Sequence, residues 1–316
     1  MKTRKWLIYA ILVTVFWGVW GATTELLNLP GTYIYIVWSF TMIIPAIIAL
    51  KNINWKLESD LKSVIYGLTI GLTGAGGQLI LFTGAIQNGP AYLIFPIISL
   101  SPIVTIILSL IFLKERASLR GWIGILFAII AIPLLSYQDK TDTNVKSIIW
   151  LLYALLVFLA WGLQAFFMKK ANKTMKAESI FFYMTITGLL LAPIAYFMTP
   201  KGIPIDLSLK TLTWAFIIQI LNSIGALMLV YAFRYGKAII VSPLTNAVAP
   251  VLTMIISLII YRVIPHKIII MGMIAAVIAM VILAFEDEEE DMSPQSQIQK
   301  VSEETTNYLI KDTEDT

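Results

Sequence analysis

The sequence contains no cysteine and a single histidine, His266. That excludes disulfide frameworks, thiolate metal sites and histidine-cluster metal chemistry, and leaves the redox compartment unspecified. Charge is scarce as well. Asp, Glu, Lys and Arg make up 13% of the 316 residues and hydrophobic residues 58%, against about 25% and 45–50% in ordinary globular chains. An integral membrane enzyme, such as a lipid-modifying transferase, would need a nucleophile, a base or metal ligands near a bilayer face. The chain offers almost none, and no metal or cofactor is implied.

What the sequence has in quantity is long apolar runs. Segments 6–27, 32–50, 62–85, 90–113, 118–137, 147–168, 179–198, 211–234, 238–261 and 267–285 approach or exceed the ~20 residues that carry a helix across ~30 Å of hydrocarbon. Backbone groups in lipid must be satisfied within the segment, which selects helices. The basic start Met1-Lys2-Thr3-Arg4-Lys5 resembles that of a signal peptide. The apolar stretch after it is too long, however, and further spans follow at once, so an uncleaved first helix is expected. With the N-terminus inside, fifteen lysines and arginines fall on inner segments and six on outer ones. The positive-inside rule then predicts a multi-pass protein of the cytoplasmic (plasma) membrane with both termini cytoplasmic.

The formal charge of +4 hides a split between a body of net +13 and a tail from Glu286 of net −9. A basic body suits an anionic cytoplasmic leaflet; no nucleic-acid partner is called for. The tail, 286–316, is poor in apolar residues and is expected to be disordered.

The chain repeats itself. Gly89, Ala91 and Pro96 correspond to Gly236, Ala238 and Pro243 at one offset. One residue later in register, Pro102, Thr105, Ser109, Gly124 and Ala128 correspond to Pro250, Thr253, Ser257, Gly272 and Ala276. Upstream, Ala10–Gly18 echoes Ala154–Gly162. Two units follow, 5–137 and 147–285, each with five spans. Because five is odd, the second unit enters the bilayer from the opposite side. The expected fold class is an all-α membrane protein of ten transmembrane helices, arranged as two inverted five-helix repeats. In secondary transporters this arrangement places the substrate near the midplane between the repeats, in interrupted helices. Pro96, Pro102, Pro243 and Pro250 are the expected helix breaks.

At ~1.5 Å per residue, Trp17, Ser99, Asn222 and Asn246 each lie roughly 14–17 Å into their helices. Gln78, Trp161, Gln164 and Thr245 join them as candidates for a substrate pathway, because polar groups in hydrocarbon must face protein, water or substrate. Each has a plainer role. Ser, Thr, Asn and Gln serve membrane helices as interhelical hydrogen-bond partners, a hydroxyl can bond its own helix, and Trp17 and Trp161 are most simply packed in the core. Gly67, Gly71 and Ala75 form a small-residue face for close helix approach; local unwinding at Gly74–Gly77 is the alternative. Glu25 lies near the outer end of the first span, either solvated at the helix mouth or a proton-coupling group. Glu115, Arg234 and His266 read as interfacial or loop residues.

The ten spans, the five-plus-five duplication and the stretch Leu113-Lys114-Glu115-Arg116…Leu119…Gly121…Gly124 resemble the drug/metabolite transporter superfamily, in its EamA-type ten-helix branch, over about residues 5–286. The resemblance implies a central cavity walled by helices one to four and six to nine, and export or exchange of small organic metabolites. By position, Ser99 and Asn246 fall on helices lining that cavity. The second repeat has Val263 where the first has Glu115, which argues against a role needing paired carboxylates. The lack of buried Lys or Arg pairs argues against phosphorylated substrates. The function expected is a secondary transporter, by efflux or exchange, of small neutral, zwitterionic or aromatic metabolites; a nontransporting sensor or scaffold is the alternative. Its partners would be a small-molecule substrate and the lipid bilayer. Lys140→Cys and Lys170→Cys variants are expected to react with membrane-impermeant reagents from opposite faces; labelling of both from one face would exclude inverted repeats.

Overall fold

The fold follows from a computed structural model that describes residues 4–24, 26–85, 94, 97–135, 137, 149–199, 201–202, 204–261 and 266–285. Expectations for Glu25, Pro96, Val263 and the acidic tail fall outside these residues. The described chain is helical with no strand among those residues. In order it forms α1 (Lys5–Thr24), α2 (Gly31–Asn52, with a turn at Met42), α3 (Leu61–Ala85), α4 (Ile97–Leu113), α5 (Leu119–Leu135), α6 (Ile149–Ala171), α7 (Ala177–Phe197), α8 (Leu209–Tyr235), α9 (Ala238–Tyr261) and α10 (Lys267–Leu283). Among the described residues, α1, α2, α3, α6, α7 and α8 are long and apolar enough to cross a membrane, and four further apolar segments are shorter.

On α5 and α10 the buried faces are rich in small side chains and the exposed faces in large ones. In α10, Gly272, Ala275, Ala276 and Ala279 are buried, while Met271, Ile274 and Val281 are exposed. In α5, Gly121, Gly124, Ala128 and Ala131 face in, whereas Trp122, Leu126 and Ile130 face out. This pattern is the reverse of a soluble amphipathic helix. Lipid solvates a leucine as well as a protein core does, so association is driven by the close approach that small residues permit.

Equivalent helices of the two halves meet as a pair. Gly124 near the start of α5 lies under Leu283 at the end of α10, and Gly272 near the start of α10 lies under Leu134 at the end of α5. The two therefore run antiparallel, and each contact is the mirror of the other. The Arg4 guanidinium donates to the Ala284 carbonyl, bringing the start of α1 to the end of α10.

Several sequence expectations are corrected by packing. Pro243 and Pro250 do not break α9, which continues through both. Each proline removes one backbone bond, and the helix keeps its remaining ladder; Thr245 donates to the Val241 carbonyl at 2.9 Å and Asn246 to the Ser242 carbonyl at 2.9 Å, both within α9. Pro102, by contrast, opens a new helical stretch after a turn at Leu100–Ser101, as its missing N–H favours. Gly74–Gly77 is not unwound. The helix widens into π turns at Leu72–Gly76 and Leu81–Ala85 and stays helical between them.

Glu115, just past the end of α4, is buried within the protein. Its two carboxylate oxygens accept from Ala238 N and Ile239 N at 3.0 and 3.1 Å. The chain before α9 reads Gly236-Lys237, with no side-chain cap of its own, so a carboxylate from the end of α4 satisfies the free N–H groups and complements the helix dipole. Lys114, in the left-handed region at φ 54°, turns the chain to deliver it.

Gly272→Ala is expected to destabilise the detergent-solubilised protein by about 1–3 kcal/mol through overpacking. Its Cβ would lie 2.9 Å from the backbone nitrogen of Leu135, which has little freedom to move. Gly76→Ala, whose Cβ meets nothing closer than 3.7 Å, is expected to be neutral or slightly stabilising; thermal unfolding of both variants checks this.

Candidate functional site

The first helix of each half is held by the third helix of the other. Trp17 on α1 donates from Nε1 to the Asn222 carbonyl of α8 at 3.3 Å, and its ring covers Gly225. Trp161 on α6 donates from Nε1 to the Gly74 carbonyl of α3 at 3.4 Å, and its ring covers Gly77. In both junctions the acceptor lies three residues before the glycine. The fourth helices repeat the exchange: Thr253 Oγ1 donates to the Gly18 carbonyl at 3.0 Å, and Thr105 Oγ1 to the Gly162 carbonyl at 3.1 Å. Glycine is needed at these places because an indole or a branched side chain occupies the volume a Cβ would take.

The two junctions then diverge. Where α3 has Gly71 and Gly74, α8 has Gln219 and Asn222. On the α3 side, Thr187 seats on Gly71, Gln164 on Gly74 and Tyr183 on Gly67, and the helices meet without a gap. On the α8 side, where the amides stand, a narrow crevice lies among α1, α2, α3 and α8. Its walls carry the rings of Trp20, Tyr35, Trp38 and Phe82, the side chain of Ile34, and the amides of Gln78, Gln219 and Asn222. It is too constricted to seat a water molecule. Among the described residues, no Asp, Glu, Lys or Arg lines it.

Trp20 Nε1 donates to Gln219 Oε1 at 3.1 Å. Indole N–H is only a donor, so this bond fixes the amide with its nitrogen pointing the other way. Nearby, Thr41 and Ser223 share a hydroxyl bond of 2.8 Å that ties α2 to α8.

Of the residues singled out from sequence, Gln78 and Asn222 line the crevice. Trp17 sits beside it, bonded to the Asn222 backbone rather than facing the space. Trp161 and Gln164 build the tight junction on α3. Thr245 bonds carbonyls of its own helix, its plainer role; Asn246 also donates within its own helix rather than to another, and Ser99 is half-buried on α4. Sequence reasoning missed Trp20, Tyr35, Trp38, Phe82 and Gln219. Two signals pointed to them: Gln219 falls one helical turn before Asn222, and Trp20 one turn after Trp17.

A model of the EamA-like transporter family matches residues 4–137 and 148–285, one copy on each half. An uncharacterized protein of Methanocaldococcus jannaschii is 32% identical over 134 residues, covering 42% of this chain and 97% of that protein; its length matches one half. A solved crystal structure shares the fold at a TM-score of 0.72 and 14% identity, covering 88% of this chain and 95% of the other. The chain belongs to the EamA-like transporter family and is an integral, multi-pass membrane protein.

Trp17→Phe and Trp161→Phe are each expected to lower stability by roughly 0.6–1.7 kcal/mol, the range for hydrogen bonds between membrane helices. The two sites share no partner, so the double variant should show the sum; denaturation in detergent measures all three.

Proposed function

We propose, from membership of the EamA-like transporter family as the premise, that the chain is a secondary carrier of small neutral, zwitterionic or aromatic metabolites. The reading places ten spans in the cytoplasmic membrane as inverted repeats 5–137 and 147–285 with both termini cytoplasmic, and carries solute outward by efflux or exchange. One observation carries it: among the described residues, the crevice between the halves is walled by amides and aromatic rings and by no charged group. A pocket of that composition suits solutes that bring no net charge, because an unpaired ion there would cost several kcal/mol.

The asymmetry of the two junctions supplies a route for alternating access. The glycine junction on α3 closes one half of the bundle, and the crevice on α8 lies among residues one to two turns from the end holding Thr24, Gly31 and Ala85. On the orientation drawn from Lys and Arg, that is the outer end. Rocking one half on the other exchanges tight and loose junctions, with the antiparallel α5–α10 pair at the edge as the fixed seam. A drug-sized solute needs about 300–1,000 Å³, so the crevice described is a closed state that must widen to load.

The protein reconstituted in vesicles is expected to give saturable flux of at least one solute in a labelled panel of uncharged and zwitterionic metabolites, and none of phosphorylated ones. A well-folded preparation without substrate-dependent flux would overturn the carrier reading and favour a nontransporting sensor. Under an imposed pH gradient, a Glu25→Gln variant that kept pH-dependent flux would remove Glu25 from any coupling role.

A further inference from the structure

Three polar side-chain atoms on residues that line the crevice are buried and have no hydrogen-bond partner among the described residues: Tyr35 Oη, Trp38 Nε1 and Gln219 Nε2. Tyr35 and Gln219 have no solvent exposure and Trp38 retains 8%. A buried donor left unmade costs about 1–3 kcal/mol, so three in one place need a reason. Water cannot supply it, since the crevice is too narrow.

The fold does not demand them either. The equivalent junction on the other half closes with Gly71 and Gly74 where this one carries Gln219 and Asn222. Trp20 pins the Gln219 oxygen, which leaves the amide N–H₂ as the free end. Indole N–H and amide N–H₂ can only donate, and the tyrosine hydroxyl can turn to donate with them. All three are therefore set to meet an acceptor.

From this we infer that the three donors form a recognition site for an acceptor oxygen, of the carbonyl or amide kind, on a flat uncharged solute whose body stacks among Trp20, Trp38 and Phe82. The assignment rests on the carrier reading and deepens it. Donors without a cation satisfy a neutral oxygen without burying net charge, whereas a carboxylate would enter with no counter-ion. Aromatic walls favour a planar body through offset or edge-to-face contacts. Tyr35, Trp38 and Gln219 then determine specificity: a solute lacking the oxygen leaves all three donors unmade, the situation in which binding sites discriminate most sharply.

The test is binding to the purified full-length chain in detergent, which needs no transport. Tritiated benzamide, nicotinamide and uracil are the neutral probes; benzoate and benzylammonium are the charged competitors. Saturable binding of at least one neutral probe is expected, with both charged analogues competing more weakly. Tyr35→Phe and Gln219→Met are each expected to weaken binding about 10-fold, one hydrogen bond's worth. Tyr35→Phe should at the same time leave the ligand-free melting temperature unchanged or raise it, because the deleted oxygen bonds nothing in the protein. That readout separates a recognition role from a structural one.

The inference is overturned if no neutral probe binds saturably, if benzoate or benzylammonium binds more tightly, or if Tyr35→Phe binds as the parent does. Flux in vesicles with no preference for neutral carbonyl solutes would sink the inference and leave the carrier reading standing. Absence of all flux would sink the carrier reading itself.

Discussion

The architecture depends on an exchange between its halves. An indole on the first helix of each half reaches a backbone carbonyl on the third helix of the other and packs against the glycine one turn later. In lipid there is no hydrophobic gain from bringing two apolar helices together. What holds them is close packing and a few bonds hidden from water, and both require a neighbour shaped to receive a large ring. Neither half can complete its own wall, because its first helix is spent on the other. The space between them is thus part of the fold rather than a gap left by it.

From that exchange the rest follows by small departures from symmetry. The same junction is built twice, once with glycines and once with Gln219 and Asn222 in the glycine places. The glycine version closes on Thr187 and Gln164; the amide version has aromatic rings around a narrow crevice. The two junctions thus differ by a handful of atoms at one helix position or two. Glu115 adds a second tie at the other end of the bundle, where its carboxylate holds the start of α9 against the end of α4.

Much of this was legible before any coordinates. The apolar runs gave the helices, since nothing else spans hydrocarbon, and the offset between Pro102 and Pro250 or Gly124 and Gly272 gave the duplication. Asn222 and Gln78 were legible as unusual amides in apolar surroundings. The prolines were read less well. Pro243 and Pro250 look like breaks in a sequence, yet α9 runs through them, because the packing around a helix, which the order of residues does not display, decides whether a proline interrupts it. Trp17 and Trp161 were legible as a pair, but their partners were not, because those partners are backbone carbonyls some ninety and two hundred residues away, and every residue has one.

The sequence by itself therefore determined the solvent, the helices and the twofold repetition, because hydropathy and self-similarity are properties of the chain read in order. Tertiary structure alone decided which residues share a wall. Tyr35, Trp38 and Gln219 carry no motif. They become a site only because α2 and α8, distant in sequence, are brought face to face, with the amide in the place its twin gives to glycine. Whether a buried donor has a partner is a property of three-dimensional neighbours.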